Sequence, residues 1–203
     1  MIAIIDYGVG NLFSLRSSLA MIGAQTVVTG DAQVIRAADR LLLPGVGAFE
    51  DARRKLAQSG LDALVCAEAE RGKPVMGICL GMQMLFDRSF EYGKHQGLGL
   101  IGGDVVAMAD RLPEGLKVPH IGWNALDVKR PEHPLMKRVK PGDCVYFVHS
   151  YYACGCDEAV VATTEYGVDL TAAVAKGNVM GCQFHPEKSG EVGLAILRAF
   201  CEV

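Results

Sequence analysis

No charge of one sign dominates this chain of 203 residues: 20 Lys and Arg stand against 23 Asp and Glu, a net charge of −3. A general nucleic-acid binder carries a basic stripe, so that class is excluded. No apolar run approaches the ~18 residues that a membrane span needs. Nothing resembling a charged n-region, an apolar h-region and a cleavage site precedes the strand-like start Met1-Ile2-Ala3-Ile4-Ile5, so neither a secretory signal nor a membrane partner is expected. Internal repeats and low-complexity linkers are missing too. Tryptophan occurs once, at Trp123. The seven cysteines are an odd number and scattered, which fits a reduced, cytoplasmic setting better than a disulfide framework. Cys154-Gly155-Cys156 is the one close pair. No second His or Cys pair supplies the remaining ligands of a structural metal site, so the two read as loop thiols, and neither metal nor cofactor is expected.

Half the residues are apolar and the mean hydropathy is +0.22, ample for a compact core. The length suits a single domain over 1–203. In the first half, strand and helix patterns alternate. Ile2 to Asp6 is an apolar run ending in a Gly-rich turn. Asn11 is a candidate helix cap, followed by Leu12, Leu15, Leu19 and Ile22 at helical spacing. Gln25 to Thr29, Leu41 to Leu43 and Val75 to Ile78 read as strands, and Leu61, Leu64 and Val65 belong to a helix that ends at Gly72. Such alternation predicts a parallel sheet covered on both faces. From Gly97 onward strand-like runs dominate: Val105 to Met108, Val145 to Tyr152, Val160 to Thr164, Ala172 to Ala175 and Val179 to Phe184, with a hairpin turn at Lys176-Gly177-Asn178. A final helix carries Val192, Ala195, Ile196, Ala199 and Phe200. The expected fold is α/β: an open mixed sheet, mostly parallel, with helices on both faces and antiparallel strands from the second half. Asp6, Pro44 and Cys79 all fall where a parallel strand ends, which is where such folds keep functional loops. The Asp6 to Gly10 turn lacks both a basic residue and dinucleotide-binding spacing, so no nucleotide is expected there.

Chemistry concentrates at Gly77-Ile78-Cys79-Leu80-Gly81. An apolar strand runs into a Gly-flanked thiol, and Met82, Leu85 and Phe86 then begin a helical pattern. This is the cysteine form of a nucleophile elbow. The helix N-terminus behind Cys79 favours a thiolate and offers free N–H groups to an oxyanion. A base and an orienting group occur in Gly181-Cys182-Gln183-Phe184-His185-Pro186-Glu187. Pro186 pushes His185 to extended dihedrals. Glu187 can accept from one imidazole nitrogen while the other faces the thiol, the logic of nucleophile, base and orienter. Among the other histidines, His95 and His133 lie in polar stretches that read as solvated loops.

Gly77 to Gln83 together with Phe184 to Glu187 resembles the class I glutamine amidotransferases. Further stretches narrow the resemblance: Asp6 to Asn11, Pro44 to Phe49, Gly97 to Gly99, Pro119 to Asn124, Tyr146 to Tyr151 and Lys188 to Gly190. They are similar to members whose ammonia feeds a (β/α)8-barrel cyclase of histidine biosynthesis, and the likeness runs nearly end to end. It implies hydrolysis of L-glutamine by a Cys79–His185–Glu187 triad, and a heterodimer with the cyclase subunit that makes imidazole glycerol phosphate. On the residues alone, Pro44 to Gly47 reads equally well as an ordinary strand-to-helix turn. The resemblance implies that Val46 and Gly47 join Leu80 in an oxyanion hole, after the Val46–Gly47 peptide reorients. It also implies substrate contacts at Gln83, Ser150 and Tyr151. Asn11, Trp123, Asn124, Tyr146 and Lys188 match interface or gating positions; the alternative for Trp123 is a core position, and the resemblance favours the interface. His120 and His149 lie within the matching motifs but are not triad positions. Two other readings share the elbow: a glutaminase serving another acceptor, such as a pyridoxal phosphate synthase, and a non-catalytic α/β protein that keeps a reactive thiol. The Pro119 to Asn124 and Tyr146 to Tyr151 stretches favour the cyclase, and the non-catalytic reading has no use for both His185 and Glu187.

Overall fold

The computed structural model describes residues 1–203. The first half contains β1 (Ile2–Ile5), α1 (Leu12–Met21), β2 (Thr26–Thr29), α2 (Ala32–Ala37), β3 (Arg40–Leu43), α3 (Phe49–Gln58), α4 (Leu61–Glu70), β4 (Val75–Ile78) and α5 (Leu80–Met84). Short strands β5 (Arg88–Ser89) and β6 (His95–Gln96) follow, then β7 (Asp104–Ala107), β8 (His120–Ala125) and β9 (Asp127–Val128). The chain finishes with β10 (Cys144–His149), β11 (Tyr151–Cys154), β12 (Val160–Glu165), β13 (Asp169–Lys176), β14 (Val179–Cys182) and α6 (Gly190–Cys201).

The main sheet has eight strands in the order β2-β1-β3-β4-β14-β13-β12-β9. The first five pair in parallel, and β13, β12 and β9 add on antiparallel. This is the mixed α/β sheet expected from the alternation of the first half and the strand-rich second half. Strands β1, β3 and β4 are almost wholly apolar because both their faces are buried. Ala3, Ile5, Leu41, Leu43 and Val75 point to one side and pack with α2, α3 and α4 through Ile35, Phe49, Leu56 and Val65. Ile2, Ile4, Leu42, Met76 and Ile78 point to the other side and meet α1 and α6 through Leu15, Leu19, Ile196 and Phe200. No helix is long and apolar enough to cross a membrane.

The second half departs from the expectation in detail. Val145 to Tyr152 is not one strand. It divides at Ser150: β10 pairs with β8 as a separate two-stranded ribbon, while β11 pairs with β7 in a small sheet. The apolar run through Val179 to Phe184 leaves the sheet after Cys182, because its neighbour β4 turns away at Cys79. Helix α3 was not apparent from the sequence, since charges separate its three buried residues, Phe49, Ala52 and Leu56. Its first turn is held from outside: Phe49 N–H donates to Glu91 Oε2 at 2.7 Å.

Candidate active site

Four loops leave the same end of the parallel strands, after β1, β3, β4 and β14, and the site lies where they meet. Cys79 stands between β4 and α5 with φ 54° and ψ −112°, a conformation that non-glycine residues rarely adopt. Its N–H donates to Cys182 O at 2.8 Å and its carbonyl accepts from Gln83 N–H at 3.1 Å, so the strained residue is tied at both ends. The elbow is jammed against the β3 loop. A Cβ on Gly81 would come within 1.8 Å of Leu43 O, and one on Gly45 within 2.6 Å of Gly81 N. Only glycine allows this backbone approach.

His185 follows β14. Its Nδ1 lies 2.8 Å from Glu187 Oε1, and both side chains are buried. Its N–H donates to Tyr146 O at 3.0 Å, and its carbonyl accepts from Ser189 Oγ at 2.6 Å. Pro186 opens a single 3-10 turn that carries Glu187 back beneath the ring. Burial pushes the imidazolium down, but the nearby Cys79 sulfur and the hydrogen-bonded Glu187 carboxylate outweigh it, and the pKa is pushed up to about 10. Glu187 Oε2 is buried with no partner. It borders a small cavity that Asn11 also lines, while Asn11 Oδ1 accepts weakly from Ser14 N–H at 3.4 Å.

A cavity of about 310 Å³ opens over the thiol. Cys79 and His185 line it, together with Val46, Gly47, Leu80, Gln83, Ser150 and Tyr151. Leu80 opens α5, so its N–H has no partner inside the helix. No backbone or side-chain acceptor takes the N–H of Val46 or Gly47. The expected catalytic, oxyanion and substrate residues thus share one pocket, apart from Glu187, which stands behind His185. The expected interface residues lie beside it. Trp123 is 55% exposed and sits opposite Tyr146 in the β8–β10 ribbon, ring centroids 6.1 Å apart; the core alternative for it does not hold. Lys188 Nζ lies 5.7 Å from the Tyr146 ring centroid. Asn124 is engaged internally, with Oδ1 2.9 Å from His120 Nε2 and Nδ2 donating to Glu165 O at 3.0 Å.

Several residues in and around the cavity were not singled out from sequence. Glu91 lines it. The Tyr7 hydroxyl donates to Pro44 O at 2.7 Å and so braces the loop bearing Val46; burial, with Cys79 nearby, raises its pKa. Fully buried Gln183 donates from Nε2 to Cys79 Sγ at 3.7 Å. His149, already set apart from the triad, donates from Nδ1 to Tyr151 O at 2.8 Å, and burial pushes its pKa down to about 4. Tyr7 and Gln183 end strands adjacent to those of Pro44 and Cys79, so strand order was the missing signal. Two minor expectations change. His133 is half-buried and accepts Leu135 N–H through Nδ1 at 3.2 Å, and His95 is half-buried against Phe49. A larger cavity, about 650 Å³, lies away from this pocket beside Lys176 and Gly177. Buried Cys156 borders it, with its thiol pushed up to about 11 by desolvation, and no histidine lines that cavity. Cys156 is thus a loop thiol, as expected, but a buried one. No cluster of three or more His, Cys, Asp or Glu is grouped as a metal site.

Residues 3–202 match the family model of class I glutamine amidotransferases. The chain is 50% identical to the imidazole glycerol phosphate synthase subunit HisH of Caldanaerobacter subterraneus, covering 100% of this chain and 98% of that protein. It is also 50% identical to the subunit of the same name from Bacillus licheniformis, covering 98% and 95%. Among solved structures, a glutamine amidotransferase crystal structure superposes with a TM-score of 0.77 at 20% identity, covering 100% of this chain and 98% of that one. PurLQS from Thermotoga maritima gives 0.74 at 22% identity, covering 99% and 97%. These structural likenesses speak for the fold alone. The family model and the pairwise identities define the class: a glutamine amidotransferase of class I. Within that class the chain belongs to the HisH family.

Proposed function

We propose that this protein, one glutamine amidotransferase domain over 1–203, hydrolyses L-glutamine through Cys79, His185 and Glu187. The ammonia passes to a (β/α)8-barrel cyclase subunit of the HisF type, which makes imidazole glycerol phosphate and aminoimidazole carboxamide ribonucleotide (AICAR) in histidine biosynthesis. The observation that carries this reading is the buried His185–Glu187 pair at 2.8 Å, whose imidazole lines the same cavity as the strained thiol.

Cys79 loses its proton to His185, and the sulfur attacks the substrate carboxamide carbon. The oxyanion takes N–H donors from Leu80 and from the Val46–Gly47 segment. Collapse breaks the C–N bond as His185 returns its proton to the leaving nitrogen, giving ammonia and a thioester. Water, deprotonated by His185, then cleaves the thioester to glutamate and restores the thiol. Glu187 keeps the Nδ1–H tautomer and supports the imidazolium. Gln83, Ser150, Tyr151 and Glu91 offer polar groups on the cavity wall for the amino-acid end of the substrate; Glu91 suits its ammonium.

A partner is favoured by the ribbon surface. Ile121 and Trp123 are exposed on β8, and their register partners Val148 and Tyr146 continue that face to the cavity. Asn11, Asn124 and Lys188 complete the proposed set of contact or gating residues, Lys188 beside Tyr146 and Asn11 beside Glu187. Seven free cysteines suit a reduced, cytoplasmic compartment.

The test is Cys79→Ala in the reconstituted complex. Glutamine-dependent synthesis is expected to vanish while synthesis from ammonium salts survives, because the cyclase performs that step. Glutamine-driven product at the wild-type rate would overturn the assignment.

A further inference from the structure

Gln83 and Gln183 form a buried hydrogen-bonded chain that ends on the sulfur. Gln83 Nε2 lies 3.0 Å from Tyr151 O and 2.9 Å from Gln183 Oε1. Gln183 Nε2 in turn lies 3.7 Å from Cys79 Sγ.

The direction of this chain is fixed at its outer end. The two ends of a carboxamide are nearly alike in shape, so its partners decide which end faces which. A backbone carbonyl only accepts, so the Tyr151 oxygen demands the nitrogen of Gln83. The second hydrogen of that nitrogen then demands the oxygen of Gln183. Gln183 is left with its N–H facing the sulfur. Turning it over would set two donors together at Gln83 and two sets of lone pairs together at Cys79. The Tyr151 carbonyl is held from the other side by His149 Nδ1–H at 2.8 Å, so the anchor is itself anchored. Strand pairing brings the ends together: Cys182 of β14 lies in register with Ile78 of β4, and the next residues are Gln183 and Cys79.

We infer that Gln183 is a further catalytic residue, whose side-chain N–H holds the anionic form of the Cys79 sulfur ready for attack. The inference rests on the reading of Cys79 as the nucleophile and adds a donor to it. An N–H bond to an anion in a water-poor site is stronger than one to a neutral acceptor. His185 holds the proton that the sulfur gives up, whereas Gln183 brings no charge and competes for no proton. Gln83 Oε1 has no protein partner and belongs to the cavity wall, so the chain joins the substrate pocket to the reacting atom.

The experiment alkylates the full-length chain with iodoacetamide across a pH series and follows each cysteine peptide by mass spectrometry. Gln183→Met keeps the shape and removes the donor. Cys79 modification at neutral pH is expected to slow about tenfold, with its rate–pH profile moved to the alkaline side. Gln183→Glu keeps an acceptor for Gln83 but sets a carboxylate against the sulfur, and should slow it further. Exposed Cys144 serves as the internal standard and should react at one rate in all three proteins. Thermal unfolding checks each variant, and Gln183→Glu carries the test where Gln183→Met does not fold. Wild-type protein gives a readout without a variant: alkylating Cys79 should move the Gln183 side-chain amide resonance. Folded variants with the wild-type Cys79 profile, or an amide resonance indifferent to alkylation, would reduce Gln183 to a space-filling residue. Because alkylation needs no glutamine, that outcome is separate from the Cys79→Ala test of the nucleophile.

Discussion

Glu187 grips His185 through one oxygen only; its other oxygen is buried without a partner. An unpaired buried carboxylate oxygen is costly, and the positive imidazole beside it offsets part of that cost. The raised pKa, about 10, sets the sign of the pH effect. In the unfolded chain histidine titrates near about 6.5. Stability drawn from the charged ring is therefore complete below that pH and is lost as the pH climbs towards 10. Glu187→Gln removes the carboxylate and should lower the pH at which His185 deprotonates by about one unit or more, read by NMR of labelled histidine. Glutamine-driven turnover should fall roughly 100-fold with it. A wild-type His185 titration in that variant would mean that the carboxylate contributes nothing to the ring. This pair was legible in the sequence because a proline fixes a two-residue spacing. Gln183, one strand away from its target, was not.

At the scale of elements, the contact between the β3 loop and the start of α5 sets the spacing between the N–H donors and the thiol. Gly81 has no room for a methyl group, since Leu43 O occupies its place. Gly81→Ala should destabilise the protein by about 3 kcal/mol, measured by chemical denaturation, because backbone must move rather than a side chain. A loss within 0.5 kcal/mol would show that the contact yields freely. The strands that build this contact were readable as short apolar runs punctuated by Pro or Gly. What misled was β-prone residues on both sides of a polar pair. Val145 to Tyr152 reads as one strand across His149 and Ser150, yet Ser150 is where the chain passes from one sheet to another. Helix α3 was hidden for the opposite reason: its stabilising partner, Glu91, lies more than thirty residues onward and leaves no local signature.

Over the whole molecule, the ribbon of β8 and β10 is the feature with the least evident internal purpose. Trp123 spends over half its surface on solvent while its neighbours on the inner face, such as Phe147, are fully buried. Trp123→Ala should therefore cost folding less than about 1.5 kcal/mol, yet weaken association with the cyclase about 30-fold or more, measured by titration calorimetry. Unchanged affinity with a large drop in melting temperature would return this residue to a structural role. The main chain of Tyr146, on the same ribbon, donates its N–H to Ser189 Oγ and accepts the N–H of His185 on its carbonyl. The backbone that carries the imidazole is thus tied to an outer wall as well as to β14, which it follows. Any body leaning on that wall leans, one hydrogen bond away, on the main chain of the residue that carries the proton.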